Sequence, residues 1–156
     1  MKNKQLDPID IRILTELTSD ARIPLTQLAK NLKVSNTLVH QRIKKLKETG
    51  ILRKATFRFD PWLLGYQTSA YIQIMLTDAK LHRDVEKKLA EIPEIVECVN
   101  IAGRYAVMVK IFAHNNRHLR DVIYDKILPI DGVEGTNTTM AFETAFARNV
   151  PIMLED

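Results

Sequence analysis

Apolar residues recur at three- and four-residue spacing in three runs within the first fifty positions, and that rhythm predicts three helices. Leu6, Ile9, Ile13, Leu14 and Leu17 form the first stripe, with Asp7-Pro8 as a start signal because Asp accepts from free amides and Pro fits the first helical position. The helix is expected to reach about Thr18 and to end at Thr18-Ser19-Asp20. Pro24 restricts Ile23 to extended geometry, and Leu25, Leu28, Ala29 and Leu32 then mark a helix of two turns. Ser35 caps a third, whose inward stripe is Val39, Ile43 and Leu46 and whose end is marked by Gly50. The turn before it, Lys33-Val34-Ser35, is short enough to force a steep crossing of the kind found in helix-turn-helix units.

Beyond Gly50 the rhythm changes. Ile51 to Asp60 alternates, with Ile51, Ala55, Phe57 and Phe59 on one side, and predicts a strand leaving the first unit. Pro61 to Gly65 breaks it and is the best candidate boundary. From Tyr66 the order is a strand with Ala70, Ile72, Ile74 and Leu76 on one face, then a helix with Leu81, Val85 and Leu89. Two strands follow, Ile95–Ile101 and Tyr105–Phe112, joined by a turn at Ala102-Gly103-Arg104. A helix bearing Leu119, Ile123 and Ile127 stops at Pro129, and Val133–Phe146 reads as a long last strand with Met140, Phe142 and Phe146 on one face. The order βαββαβ predicts a ferredoxin-like domain. The chain is thus expected to be α+β, with a three-helix helix-turn-helix domain over 1–52, strand and linker over 53–65, and a ferredoxin-like domain with an antiparallel sheet over 66–156. The uncovered face of that sheet is most simply covered by a second copy, giving a symmetric dimer.

Charge sharpens the picture once it is divided along the chain. Residues 1–55 carry 12 Lys/Arg against 5 Asp/Glu, a net of +7, while residues 56–156 carry 11 against 14, a net of −3. A basic first third points to a polyanionic partner, with a solvated basic surface as the plain alternative. No stretch approaches the length of a membrane span, and the polar N-terminus has no apolar core of the kind an export signal carries. The single cysteine, Cys98, rules out an internal disulfide, fits a reducing cytoplasm, and is expected as a small thiol buried in a strand. Cys98 and four scattered histidines lack the spacing of a zinc site, so no metal and no cofactor are expected.

With Val39, Ile43 and Leu46 turned inward, a 100° step places Thr37, His40, Gln41, Lys44, Lys45 and Glu48 on the opposite face of the third helix. Its first turns carry Ser35, Asn36, Thr37, His40 and Gln41, whose amides and hydroxyls suit base edges in double-stranded DNA. Arg42, Lys44, Lys45 and Lys47 suit phosphates. Catalysis finds less support: His40 sits on this helix, His82 at a helix start, and His114 and His118 flank another, with none visibly paired to a carboxylate or thiol.

These marks together resemble the Lrp/AsnC family of leucine-responsive and asparagine-operon regulators. They are Leu6-Asp7 with Asp10, Ile13-Leu14 and Leu17; Asp20-Ala21-Arg22; Leu28-Ala29; and Ser35, Arg42-Ile43, Leu46 and Gly50-Ile51. In the second half Gly65, Gly103–Tyr105 and Val133 with Thr138 fall at recurring positions of the family's effector domain. The resemblance implies a cytoplasmic transcription regulator that dimerises, stacks dimers into an octamer, and binds an amino acid or related molecule between subunits. Gly103, Arg104, Tyr105, Thr136 and Thr138 are the corresponding effector candidates. Two positions depart from the family: Lys33 replaces the usual turn glycine, and Ala106 stands where an acidic residue often follows Gly-x-Tyr. Two other readings stay open, a ferredoxin-like dimeric small-molecule enzyme and a DNA-compacting protein without sequence preference.

Overall fold

The computed structural model describes residues 6–152; the polar stretch Met1–Gln5, read above as carrying no export signal, lies outside them. The described residues divide into two compact units, one running to Phe57 and resuming at Ala147, the other spanning Arg58–Phe146.

In the first unit α1 runs Pro8–Ser19. The Asp7 carboxylate accepts from the Asp10 amide at 2.8 Å and the Asp10 carboxylate accepts from the Asp7 amide at 3.4 Å, a reciprocal cap that satisfies two otherwise orphaned donors. α2, Leu25–Leu32, has only 8 residues and is held by burying Leu28, Ala29 and Leu32, since a helix this short does not persist alone in water. It ends at Lys33, whose φ of 57° and ψ of 44° are left-handed, and the Val34 amide then donates to the Ala29 carbonyl at 3.0 Å. α3 spans Asn36–Glu48. Ile13, Leu14, Leu28, Ala29, Leu32, Val39, Ile43 and Leu46 make one core, with Leu6, Ile9, Leu17, Leu52 and Ile152 half-buried around it. Each fully buried aliphatic side chain here contributes about 1.5–3 kcal/mol.

The second unit contains β1 (Thr68–Leu76), a 3-10 turn (Ala79–Leu81), α4 (His82–Ala90), β2 (Ile95–Asn100), β3 (Val107–Ala113), α5 (Asn116–Asp121) and β4 (Val133–Ala141). The sheet order is β2-β3-β1-β4 and every pair is antiparallel, the ferredoxin-like arrangement. Ala70, Ile72, Ile74, Val107, Val109 and Ile111 alternate onto one face and pack with Val85, Leu89, Leu119, Val122 and Ile127 from the helical segments. On the other face Tyr71, Gln73, Met75, Met108, Lys110 and Phe112 are half-buried, with Lys110 5.4 Å from the Tyr71 ring centre. Gly132 is required where the chain enters β4: its φ is +93°, and a Cβ there would lie 2.9 Å from Leu81 Cδ1.

Four expectations change. The strand expected over Ile51–Asp60 is a segment outside any sheet, leaving Phe57 65% and Phe59 73% exposed; alternation in sequence supplies no ladder partner. The last strand stops at Ala141 instead of Phe146, because β1 pairs it only as far as Ser69↔Ala141. Past Asp121 the second helix widens into a π-type turn over Val122–Ile127, with the Leu128 amide bonded to the Ile123 carbonyl at 2.9 Å. Val122 is fully buried there, and Ile123, expected inward, packs half-buried against the same core. Cys98, expected in the core, is exposed on β2, an edge strand with a neighbour on one side only.

Candidate nucleic-acid interface

The residues of α3 sort by burial, with Leu38 and Arg42 half-buried between its inner and outer faces. Ser35 precedes it in extended geometry, and its hydroxyl accepts from the Leu38 amide at 3.2 Å, which starts the helix. Val39, Ile43 and Leu46 are buried and orient the cylinder. Asn36, Thr37, His40, Gln41, Lys44, Lys45, Lys47 and Glu48 are exposed, as is Ser35, so amide, hydroxyl, imidazole and ammonium groups share the outward side. Lys44 pairs loosely with Glu48 one turn on, at 3.9 Å, a contact in open solvent that leaves the ammonium free to exchange partners.

Arg42 departs from the set to which its sequence position assigned it. Its guanidinium reaches back across the unit to the cap of α1, bonding the Asp7 carboxylate and lying 3.4 Å from both Asp10 oxygens. Asp10 is buried, and Arg42 supplies its counter-charge. Arg42 therefore ties the start of α1 to α3 and is withdrawn from the outward cationic row. The amide of Asp10, with further help from Arg42, holds the Asp7 carboxyl below its ordinary value against the opposing effect of partial burial.

The effector candidates flank β1 on its two sides. Ile74 of β1 faces Val107 on one side and Thr136 on the other, and its carbonyl accepts from the Ala106 amide at 3.0 Å. Val107 and Thr136 thus lie roughly 10 Å apart, two strand spacings across β1, and Gly103–Tyr105 precede Val107 in the turn. Arg104 is exposed, its guanidinium carbon 5.9 Å from the Tyr105 ring centre, and Gly103, at φ +123°, has open space where a Cβ would point. Thr138, opposite Ile72, follows Thr136 on the same side of β4 and is exposed.

Two histidines do pair with carboxylates, which sequence reading missed. His82 Nδ1 lies 3.7 Å from Glu86, an i,i+4 spacing legible in the sequence. His118 Nε2 lies 3.1 Å from Glu94, 24 residues away and beyond any local pattern. Neither nitrogen of His118 is available as a base: Nδ1 accepts from the His114 amide at 3.2 Å, so the neutral ring carries its hydrogen on Nε2 and gives it to Glu94. Lys126 also bonds Glu94, at 2.6 Å. Burial alone would push the Glu94 carboxyl up, but the bonds from Lys126, its own amide and His118 together bring it below the ordinary value. Among the described residues no three His, Cys, Asp or Glu side chains gather as a metal site would require.

Comparison with known proteins agrees with both units. The winged helix-turn-helix DNA-binding family matches residues 6–53, and the Lrp/AsnC ligand binding domain matches residues 69–151. Regulatory protein AsnC of Haemophilus influenzae is 34% identical over 145 residues, covering 93% of this chain and 97% of that protein. The HTH-type transcriptional regulator FL11 of Pyrococcus horikoshii is 37% identical over 139 residues, covering 89% and 91%. Among solved structures, E. coli AsnC superposes with a TM-score of 0.86 at 30% identity over 93% of this chain and 97% of that one. A feast or famine regulatory protein of M. tuberculosis, solved in complex with L-methionine, gives a TM-score of 0.87 at 26% identity over 95% and 99%.

Proposed function

The chain belongs to the Lrp/AsnC family of transcription regulators, and from that premise we propose that it reads a specific DNA sequence through α3 and adjusts its binding to a small amino-acid-like effector. One observation carries the proposal: α3 turns three aliphatic residues inward and leaves Asn36, Thr37, His40, Gln41, Lys44, Lys45 and Lys47 exposed together. Asn and Gln amides match the adenine edge in the major groove, and the lysines neutralise phosphates wherever the protein sits. A compacting protein without sequence preference needs only the lysines. The amides in the first two turns favour readout.

The effector reading is supported by the M. tuberculosis protein solved with L-methionine and by the placement of the Gly103–Tyr105 turn and Thr136 on the two sides of β1, with Thr138 two residues further along β4. Arg104 offers a fork for a carboxylate, while Ala106 provides no charge for an ammonium, so keto acids belong in the ligand set beside amino acids. The open sheet face, carrying Tyr71, Met75, Met108 and Phe112, supports covering by a second copy, and an octamer is the assembly the family implies. A DNA partner supports a cytoplasmic location. Homologues over most of the chain are transcription regulators, and His118, with both ring nitrogens engaged, offers no base to the enzyme reading.

The decisive experiment selects bound sequences from a random duplex pool and measures affinity against salt for the wild type, Gln41→Ala and Lys44→Ala. Gln41→Ala is expected to flatten base preference, and Lys44→Ala to weaken all sequences alike while the slope of log K on log salt falls by about 0.9. Equal loss on every sequence for both variants refutes the assignment.

A further inference from the structure

The chain crosses between its two units twice, at Phe57–Arg58 and again at Phe146–Ala147. At the first crossing Phe57 is pinned within the first unit by Arg22, whose guanidinium carbon sits 4.2 Å from the ring centre. After the second crossing the chain runs past exposed Val150 to Ile152, which packs half-buried against the helix-turn-helix core. That core is small, 8 buried residues drawn from three helices, so one further isoleucine is a sizeable fraction of it. We infer that residues 147–152 form a strap that completes the core of the DNA-binding unit, so that the chain fastens this unit at both crossings instead of hanging it on a single linker.

The strap continues from β4, the strand carrying Thr136 and Thr138. Only residues 142–146 separate the last paired residue of β4, Ala141, from the second crossing, a span of at most roughly 17 Å when fully extended. A displacement of β4 therefore has only five residues of chain to take it up before the strap begins. This regulatory consequence rests on the effector reading proposed above. The strap itself does not, because it is a statement about packing.

The test is amide hydrogen exchange on the full chain, free of DNA and effector, for the wild type, Ile152→Ser, Ile152→Val and the exposed-site control Val150→Ser. Ile152→Ser is expected to speed exchange across residues 8–48 by about tenfold, as loss of a half-buried aliphatic side chain implies, while 68–76 and 107–113 keep their wild-type rates. Ile152→Val, mild enough to fold in any case, falls between the two, and Val150→Ser matches the wild type. Unchanged exchange over 8–48 in both Ile152 variants, or equal acceleration by Val150→Ser, overturns the strap. A protein that fails to bind DNA leaves this result untouched, so the two failures are separable.

Discussion

Replacing Arg42 by alanine separates two roles that the sequence alone assigns to one residue. On α3 it stands among phosphate-binding cations, yet its guanidinium bonds Asp7 and lies 3.4 Å from Asp10, whose side chain is only 3% exposed. Removing it leaves a buried carboxylate whose remaining bond is to the Asp7 amide at 3.4 Å. Breaking a buried pair from one side costs about 3–5 kcal/mol. Here Arg42 and Asp7 are 25% and 37% exposed, so water takes up part of that loss and about 2–3 kcal/mol is expected. For a unit of this size such a change lowers the melting midpoint by about 10 °C or more. The assay is thermal unfolding followed by far-ultraviolet circular dichroism, paired with a salt titration of DNA binding at a temperature where the variant is folded. The expected result is a large loss of stability with an unchanged salt slope. Lys44→Ala, whose side chain is 78% exposed, should do the opposite. A variant that melts with the wild type but loses about 0.9 from its salt slope would show that Arg42 contacts phosphate and would refute the reasoning.

Three further outcomes follow from single positions. Because the folded state holds the Asp7 carboxyl below its ordinary value of 3.8, its stabilising charge is complete above about pH 4 and is lost as pH falls through the lower folded value. Acid unfolding of Asp7→Asn, which keeps a capping oxygen, should therefore differ from wild type at pH 5–7 by a constant amount, and the gap should close below pH 4; a gap that widens there counts against the cap. Gly132→Ala forces a Cβ to 2.9 Å from Leu81 at a positive φ and should cost about 3 kcal/mol in urea unfolding; a cost under about 1 kcal/mol would mean that the entry to β4 yields easily. Lys33→Gly relieves a left-handed residue, φ 57°, and should stabilise the first unit by about 0.5–1 kcal/mol, whereas destabilisation would mean that the lysine stem packs usefully.

What could be read in advance was whatever depends on one chain and one period. Val39, Ile43 and Leu46 mark the inner face of α3, and Ala70, Ile72 and Ile74 the core side of β1. What escaped depends on partners remote in sequence. Arg42 meets Asp7 from 35 residues away and His118 meets Glu94 from 24, and neither spacing has a local signature. Segment 51–60 alternates in sequence like a strand, but pairing needs a neighbour that alternation does not name, and all but Leu52 of it is exposed. Lys33 was flagged at a position where families prefer glycine, and its φ shows why.

The division of labour on α3 bears on how such a protein can change its target. Stability rests on Val39, Ile43 and Leu46 inside and on Arg42 at the flank, while Asn36, Thr37, His40 and Gln41 are exposed. Substitutions at exposed helix positions usually move stability by no more than about 0.5 kcal/mol, whereas a single base contact is worth about 1–3 kcal/mol of discrimination. Readout can therefore be rewritten at these four positions without unfolding the scaffold that presents them. The lysines behind them keep general affinity for DNA while specificity drifts. Arg42 cannot drift in the same way, because any change there is felt first by buried Asp10. A library randomised at 36, 37, 40 and 41 should accordingly yield mostly folded proteins with altered preferences, and one that includes 42 should yield a population with a lower folded fraction and lower melting midpoints; equal folded fractions and midpoints in the two libraries would show that the scaffold does not depend on Arg42.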